Sequence, residues 1–223
     1  MSPEELAAKH PRLYHVTRPR VLPIIEKHGL LSTSHLLSLF EVPEERRNII
    51  EGDRRSMNVT LTHPVHGAAT LTDQHPLSLE ALAASLDDGL QPADWIRQLN
   101  RRVFFWVDPK RVDLHLRTSI KRSEPRIVLV LDALSVIRQH YDQIEISPFN
   151  TGSTLRRPAR RGLSTFTPLH RHNYRDWQRL RGGHDHVREL TVIGGVQDVS
   201  FHLTGFYPFS HLESKYSGIF KSD

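Results

Sequence analysis

Cysteine is absent from the 223 residues, and its absence excludes several kinds of chemistry. Without thiols the chain has no disulfide framework, no thiolate zinc site and no cysteine nucleophile. A chain without disulfides suits the cytoplasm, and a cytoplasmic location is what we expect.

Long apolar stretches are missing as well. No run of the sequence approaches the roughly 20 apolar residues that a membrane-spanning helix requires. Residues 1–10 also lack the apolar core of a signal peptide. We therefore expect no membrane partner. With 38% hydrophobic and 25% charged residues, the composition is that of a globular protein, and the length fits one domain over residues 1–223.

Lysine is scarce, since only 6 of the 30 basic residues are lysine and 24 are arginine. Arginine binds phosphate in a bidentate manner and stacks on bases, although a GC-rich genome produces the same bias. The arginines concentrate in residues 155–188, where nine of them stand against two aspartates. We expect this segment to be loop and short helix on the surface. It is either a nucleic-acid interface or a solvated basic loop.

Hydrophobic periodicity predicts a mixture of helices and strands. Residues 127–131 are continuously apolar, as in a buried strand, and Asp132 is placed to cap a helix over 133–140. A helix over 92–102 carries Trp95, Ile96 and Leu99 on one face. Further strands are expected at 58–62, 67–72, 102–107 and 189–193, and another at 199–203.

A histidine near the N-terminus carries the first functional indication. Residues 13–17 read Leu-Tyr-His-Val-Thr, and residues 22–32 read Leu-Pro-Ile-Ile-Glu-Lys-His-Gly-Leu-Leu-Ser. This strand followed by a helix resembles the opening of the ADP-ribosyltransferase superfamily, especially its DarT-like, DNA-modifying branch. The tRNA 2′-phosphotransferases, which share that fold, have a similar opening.

Two later segments extend the resemblance. Residues 103–107 (Val-Phe-Phe-Trp-Val) look like the aromatic strand of the His-Tyr-Glu enzymes, although the tyrosine is missing. Residues 188–192 (Arg-Glu-Leu-Thr-Val), followed by Gly-Val-Gln-Asp at 195–198, resemble the strand that bears the catalytic glutamate. The phosphotransferases do not need that glutamate, so its presence favours glycosyl transfer. The middle of the chain looks like a separate bacterial family, so the inference holds at the level of the superfamily.

The resemblance implies an α/β fold with a split antiparallel central sheet of the ADP-ribosyltransferase type, surrounded by helices. NAD would bind as co-substrate between the strands of His15 and Glu189. A single carboxylate suffices chemically, because it stabilises the positive charge that develops on the ribose as nicotinamide leaves. The catalytic residues would be Glu189 and His15. The expected cofactor-binding residues are His15, Thr17, Arg54, Arg55, Phe104, Trp106, Asn150 and Ser153. The expected acceptor-binding residues are Arg156, Arg157, Arg160, Arg161, Tyr174 and Trp177.

The function that follows is NAD-dependent ADP-ribosylation of nucleic acid, DNA before RNA, by a bacterial toxin or defence effector. Such a protein would have an antitoxin or hydrolase partner, which the sequence does not identify. A protein or small-molecule acceptor is one alternative, although Val187 stands where arginine-directed enzymes often carry Gln or Glu. A catalytically inactive module that binds nucleic acid or NAD is the other. We expect no metal, because the pairs His170/His172 and His184/His186 lack a third ligand at a characteristic spacing.

Overall fold

The computed structural model describes residues 1–120, 125–155, 157–184 and 187–209. The helices are α1 Pro3–Lys9, α2 Leu22–His28, α3 Thr33–Leu39, α4 Glu44–Gly52, α5 Leu79–Ser85, α6 Pro92–Asn100, α7 Pro109–Ile120, α8 Ala133–Gln139, α9 Tyr174–Leu180 and α10 Val199–His202. The strands are β1 Arg12–Thr17, β2 Leu30–Leu31, β3 Val59–His63, β4 Gly67–Leu71, β5 Arg102–Trp106, β6 Arg126–Asp132, β7 Ile144–Ser147, β8 Thr167–Pro168, β9 Glu189–Ile193, β10 Gly195–Val196 and β11 Leu203–Phe209. Short 3-10 turns occupy Pro19–Val21, Tyr141–Gln143 and Leu169–Arg171.

A seven-stranded sheet in the order β11-β6-β1-β5-β9-β7-β8 organises the molecule. Each neighbouring pair of strands in it is antiparallel. Two small sheets, β10-β2 and β3-β4, lie outside it. The predicted mixed α/β class, with an antiparallel central sheet and surrounding helices, is therefore confirmed.

Strand β6 explains why helices cover both faces of the sheet. Six of its seven residues are buried, and a strand that is apolar on both faces needs a hydrophobic layer on each side. Leu129 and Leu131 join the main core, which includes residues of α1, α8 and α9. Val128 and Val130 point the other way and pack with residues of α7.

The sheet opens between β1 and β5. These strands are in register at the single pair Tyr14 and Trp106, whereas β1 and β6 pair over six residues. Beyond that pair, the side chain of His15 connects β1 to β5, because its Nδ1 lies 3.0 Å from the carbonyl oxygen of Phe104. An imidazole thus takes the place of a backbone donor where the two strands part.

Both ends of the chain differ from the sequence-based expectation. Helix α1 was not predicted, yet Ser2 caps it and exchanges hydrogen bonds with Glu5 in a capping box. Residues 199–202 form α10 and not a strand, and β11 follows at Leu203. Strand β11 is at the edge of the sheet, which is where a strand tolerates the missing N–H of Pro208.

The arginine-rich segment is less superficial than predicted. It contains the expected short helix, α9, but Tyr174 and Trp177 of that helix are only 4% and 1% exposed and belong to the main core. These two aromatic side chains are core residues and do not offer their faces to nucleic-acid bases. The basic residues of α9 lie on its other side.

We predict that Trp177→Ala lowers the free energy of unfolding by about 3–5 kcal/mol, because it empties a large volume in the core. Leu180→Ala, on the same helix but 65% exposed, should change it by less than about 0.5 kcal/mol. Denaturant titration of both variants measures the difference. Equal losses of stability would show that α9 does not anchor the basic segment through Trp177.

Candidate active site

A cleft of about 760 Å³ lies at the opening between β1 and β5. Its walls come from β1, β5, α7, the 3-10 turn at 19–21 with α2, and the segment 148–155 after β7. The volume falls within the range typical of small-molecule and cofactor sites. Both residues predicted to be catalytic, His15 and Glu189, line it.

Glu189 is the first residue of β9, and it is only 5% exposed. It pairs with Trp106 of β5 on one side and with Ser147 of β7 on the other. Directly paired residues of an antiparallel sheet project to the same face. The Glu189 carboxylate and the Trp106 indole are therefore neighbours on one face of the sheet, and both residues line the cleft.

Thr151 holds the Glu189 carboxylate. Its backbone N–H donates to Oε2 of Glu189 at 3.1 Å, and its hydroxyl donates to the same oxygen at 2.7 Å. Both bonds reach Oε2, so Oε1 is the oxygen available to a ligand. Sequence reasoning missed Thr151, because nothing in the polar turn distinguishes it from its neighbours Ser153 and Thr154.

Burial raises the pKa of Glu189 to about 7, and desolvation of the charged form is the main cause. The two hydrogen bonds from Thr151 and the positive charge of Arg161 oppose that rise without cancelling it. At neutral pH the group is thus divided between its acid and its carboxylate forms.

His15 is a neutral hydrogen-bond acceptor in this setting. It is half-buried, and desolvation lowers its pKa. A carbonyl oxygen only accepts, so the contact with Phe104 places the proton on Nδ1 and leaves Nε2 as an acceptor. Such a nitrogen suits a hydroxyl donor, for example that of a ribose.

Most of the other predicted cofactor residues also line the cleft. Thr17, Phe104 and Trp106 are half-buried there, and the Trp106 ring lies 5.9 Å from that of His115 on α7. Asn150 and Ser153 lie on the loop that carries Thr151. The structure therefore brings these five residues together with His15 and Glu189.

The two arginines expected to bind cofactor differ in position. Arg55 lines the cleft, but its guanidinium donates to the carbonyls of Thr72 and Ile50 and to Oδ1 of Asn100. Burial lowers its pKa to about 10. Arg54 is not among the lining residues and donates to the carbonyl of His75 at 3.4 Å. Arg55 thus acts mainly as a tie between α4, α6 and the residue that follows β4.

The predicted acceptor-binding arginines do not form one surface. Arg157 and Arg160 are exposed, and Arg160 pairs with Asp87. Arg161 is only 1% exposed and donates to main-chain carbonyls inside the protein, so it cannot bind an external phosphate. Arg156 lies outside the described residues.

The cleft itself is electropositive, and this was not predicted. Two of its arginines, Arg111 and Arg188, have no side-chain partner among the residues that the structure describes. Carboxylates in the lining are Asp73 and Glu189. The lining arginines are Arg18, Arg55, Arg102, Arg111, Arg126 and Arg188.

The described residues form neither a metal-binding cluster nor a membrane-spanning helix. Across the described ranges, no group of three or more His, Asp or Glu side chains is arranged to hold a metal ion. His186, from one of the two His-x-His pairs, lies outside those ranges. None of the helices in the described part of the chain combines the length and the apolar composition that a bilayer crossing requires.

Sequence comparison gives a family but no activity. A protein-family profile described as "Family of unknown function (DUF7002)" matches residues 11–203. No curated protein sequence matches the chain significantly. The resemblance to ADP-ribosyltransferases therefore stays a prediction.

We predict that the stability of the protein depends on the charge of Glu189. The pKa of this group is about 7 in the folded state and about 4.5 in an unfolded chain. Between these values the folded state binds more protons, so the free energy of unfolding falls as pH rises from about 4.5 to about 7. Glu189→Gln removes this dependence and should be more stable than the wild type above pH 7, by about 3 kcal/mol.

Denaturant titrations between pH 4 and 9 test this expectation. Glu80→Gln, a substitution at an exposed helix position, is the matched control and should keep the wild-type profile. Parallel profiles for the wild type and Glu189→Gln would contradict the expectation.

Proposed function

The chain belongs to DUF7002, a family of unknown function, and we propose that it is an NAD-dependent ADP-ribosyltransferase that modifies nucleic acid. One observation carries the proposal. A buried glutamate, held by Thr151, and a neutral histidine from a separate strand line one electropositive cleft where the central sheet opens. The resemblance in residues 13–32 and 188–198 implies a cleft between the strands of His15 and Glu189, and the support from Thr151 and the arginines of the lining are additional to it.

The cleft fits NAD in size and in charge. A volume of about 760 Å³ suits a dinucleotide-sized ligand. Guanidinium groups bind phosphate oxygens in a bidentate manner. Of the lining arginines, Arg18 pairs with Asp73 and Arg102 with Glu145, and Arg55 is bound to carbonyls, so Arg111 and Arg188 suit a pyrophosphate best. Within the described ranges the side chains of Arg111 and Arg188 have no partner, so their donors are the ones proposed to bind the pyrophosphate.

NAD supplies the ADP-ribosyl group, with nicotinamide as the leaving group. The role of Glu189 is to accept a hydrogen bond from a hydroxyl of the nicotinamide ribose through Oε1 and to stabilise positive charge on that sugar. Thr151 fixes the carboxylate by its two bonds to Oε2. The charged form is the active one, so activity should rise with pH through about 7 in the free enzyme.

The role of His15 is to bind NAD and not to transfer protons. With its proton on Nδ1 engaged by Phe104, Nε2 accepts from a ribose hydroxyl. Phe104 and Trp106, which project to the same face two residues apart, form an aromatic wall for the nicotinamide. Thr17, Asn150 and Ser153 supply polar groups along the lining.

The acceptor is proposed to be nucleic acid, with DNA before RNA as the resemblance implies, and several basic residues are exposed to bind its phosphates. Arg175 and Arg179 lie on the outer side of α9, opposite the buried Trp177. Arg157 and Arg160 are exposed on the loop that follows the Thr151 turn. Charged side chains of this kind bind phosphates without reading the base.

We predict that Glu189→Gln reduces the rate of nicotinamide release from NAD about 10²–10³-fold, because a neutral amide does not stabilise the sugar cation. NAD binding should persist, since the amide keeps the shape of the side chain. Nicotinamide release and calorimetric titration with NAD measure the two effects. Equal rates for the folded variant and the wild type would overturn the role of Glu189, and NAD binding without release by the wild type would favour the inactive module.

We predict that replacing three exposed arginines weakens nucleic-acid binding without affecting NAD cleavage. Each lost phosphate contact should reduce the slope of log affinity against log salt by about 0.7 for a single strand. The variant replaces Arg157, Arg175 and Arg179 by Gln, and the control replaces three exposed arginines outside the segment 155–188, Arg20, Arg46 and Arg101, by Gln. Binding of a short single-stranded DNA at several salt concentrations measures the slope. An unchanged slope would move the acceptor to protein or a small molecule.

A further inference from the structure

We propose that Arg161 is a positioning residue of the site, which fixes the orientation of the Glu189 carboxylate through Thr151. The consequence for rate rests on the proposed function, because it requires Glu189 to be the catalytic carboxylate. The contacts of Arg161 and the titration of Glu189 do not require that role.

The guanidinium of Arg161 is bound entirely to main-chain oxygens. Its Nη1 donates to the carbonyl of Thr151 and its Nη2 to that of Ser153, both at 3.2 Å. Its Nε donates to the carbonyl of Ala159 at 3.1 Å. The planar fork therefore spans the turn that carries Thr151, and a lysine could not reproduce this geometry.

Aromatic side chains fix the guanidinium further. Its central carbon lies 5.7 Å from the ring centre of Trp95 and 5.3 Å from that of Phe149. The indole N–H of Trp95 donates to the carbonyl of Thr151 at 3.3 Å. The donors of Arg161 and Trp95 thus both bind the carbonyl oxygen of Thr151, and they fix the position of its peptide group.

Thr151 connects this cation to the acid. Its carbonyl accepts from Arg161 and Trp95, while its N–H and hydroxyl donate to Oε2 of Glu189. Thr151 is thus bonded to Arg161 and Trp95 through its carbonyl, and to the Glu189 carboxylate through its N–H and hydroxyl. A displaced Thr151 would leave Oε2 of Glu189 without either donor.

The charges of Arg161 and Glu189 also act on each other. Arg161 forms no ion pair at contact distance among the described residues, and Glu189 is the carboxylate whose charge acts on it. In return, the groups that lower the pKa of Glu189 are the two donors of Thr151 and the charge of Arg161. A purely structural arginine would hold the loop and leave the titration of Glu189 unchanged.

The test is the titration of Glu189 followed by NMR on protein with ¹³C-labelled glutamate side chains, with Glu189→Gln to assign the signal. Arg161→Met should raise the pKa of Glu189 by about one or more, since both the cation and the positioned donors are lost. Arg161→Lys, which keeps the charge, should cause a smaller rise. Arg55→Lys is the matched control, because Arg55 also binds main-chain carbonyls but is not bonded to Thr151. An unchanged titration in folded Arg161→Met would overturn the proposal.

A double-mutant cycle covers the case in which Arg161→Met does not fold. Thr151→Val removes the hydroxyl donor and should raise the pKa of Glu189 more in the wild type than in the Arg161→Lys background. Additive shifts would show that Arg161 does not act through Thr151, and would overturn the proposal. No NAD is used, so a failure of the proposed reaction leaves this outcome readable, and the nicotinamide assay tests that reaction separately.

Discussion

Burial of one carboxylate, that of Glu189, constrains the region around the cleft. An ionised acid inside a protein is costly unless donors and a counter-charge compensate for lost water. Glu189 occupies the first position of a central strand, and two donors of Thr151 reach it. Those donors are useful only if the turn is rigid, which explains why a second buried charge, Arg161, lies behind it.

The opening of the sheet is the complementary feature. A continuous ladder between β1 and β5 would pair the backbone of residues 15–17 and leave no space for a ligand. The register stops at Tyr14, and the imidazole of His15 then satisfies the carbonyl of Phe104. The same side chain therefore completes the hydrogen bonding of the sheet and offers a second nitrogen to the cleft. The pairing of β1 with β5 and the proposed binding of a ligand therefore both depend on the imidazole of His15.

Strong periodicity made much of the fold predictable. The apolar run of β6 and the face of α6 that carries Trp95 and Ile96 were readable, because their burial follows from the local pattern. Both candidate catalytic residues line the cleft, and their roles stay predictions. The role of Thr151 was not readable, because its partner Glu189 lies 38 residues away in the sequence. Arg161 and Trp177 were mistaken for surface residues because the surrounding charges conceal which side chains turn inward.

The unequal burial of the three tryptophans has an optical consequence. Trp95 and Trp177 are 0% and 1% exposed, whereas Trp106 is half-buried and borders Glu189 in the cleft. Water-soluble quenchers and bound ligands reach an indole mainly through its exposed surface. The accessible part of the intrinsic fluorescence therefore originates beside the carboxylate, and the protein carries its own spectroscopic reporter of what enters the cleft.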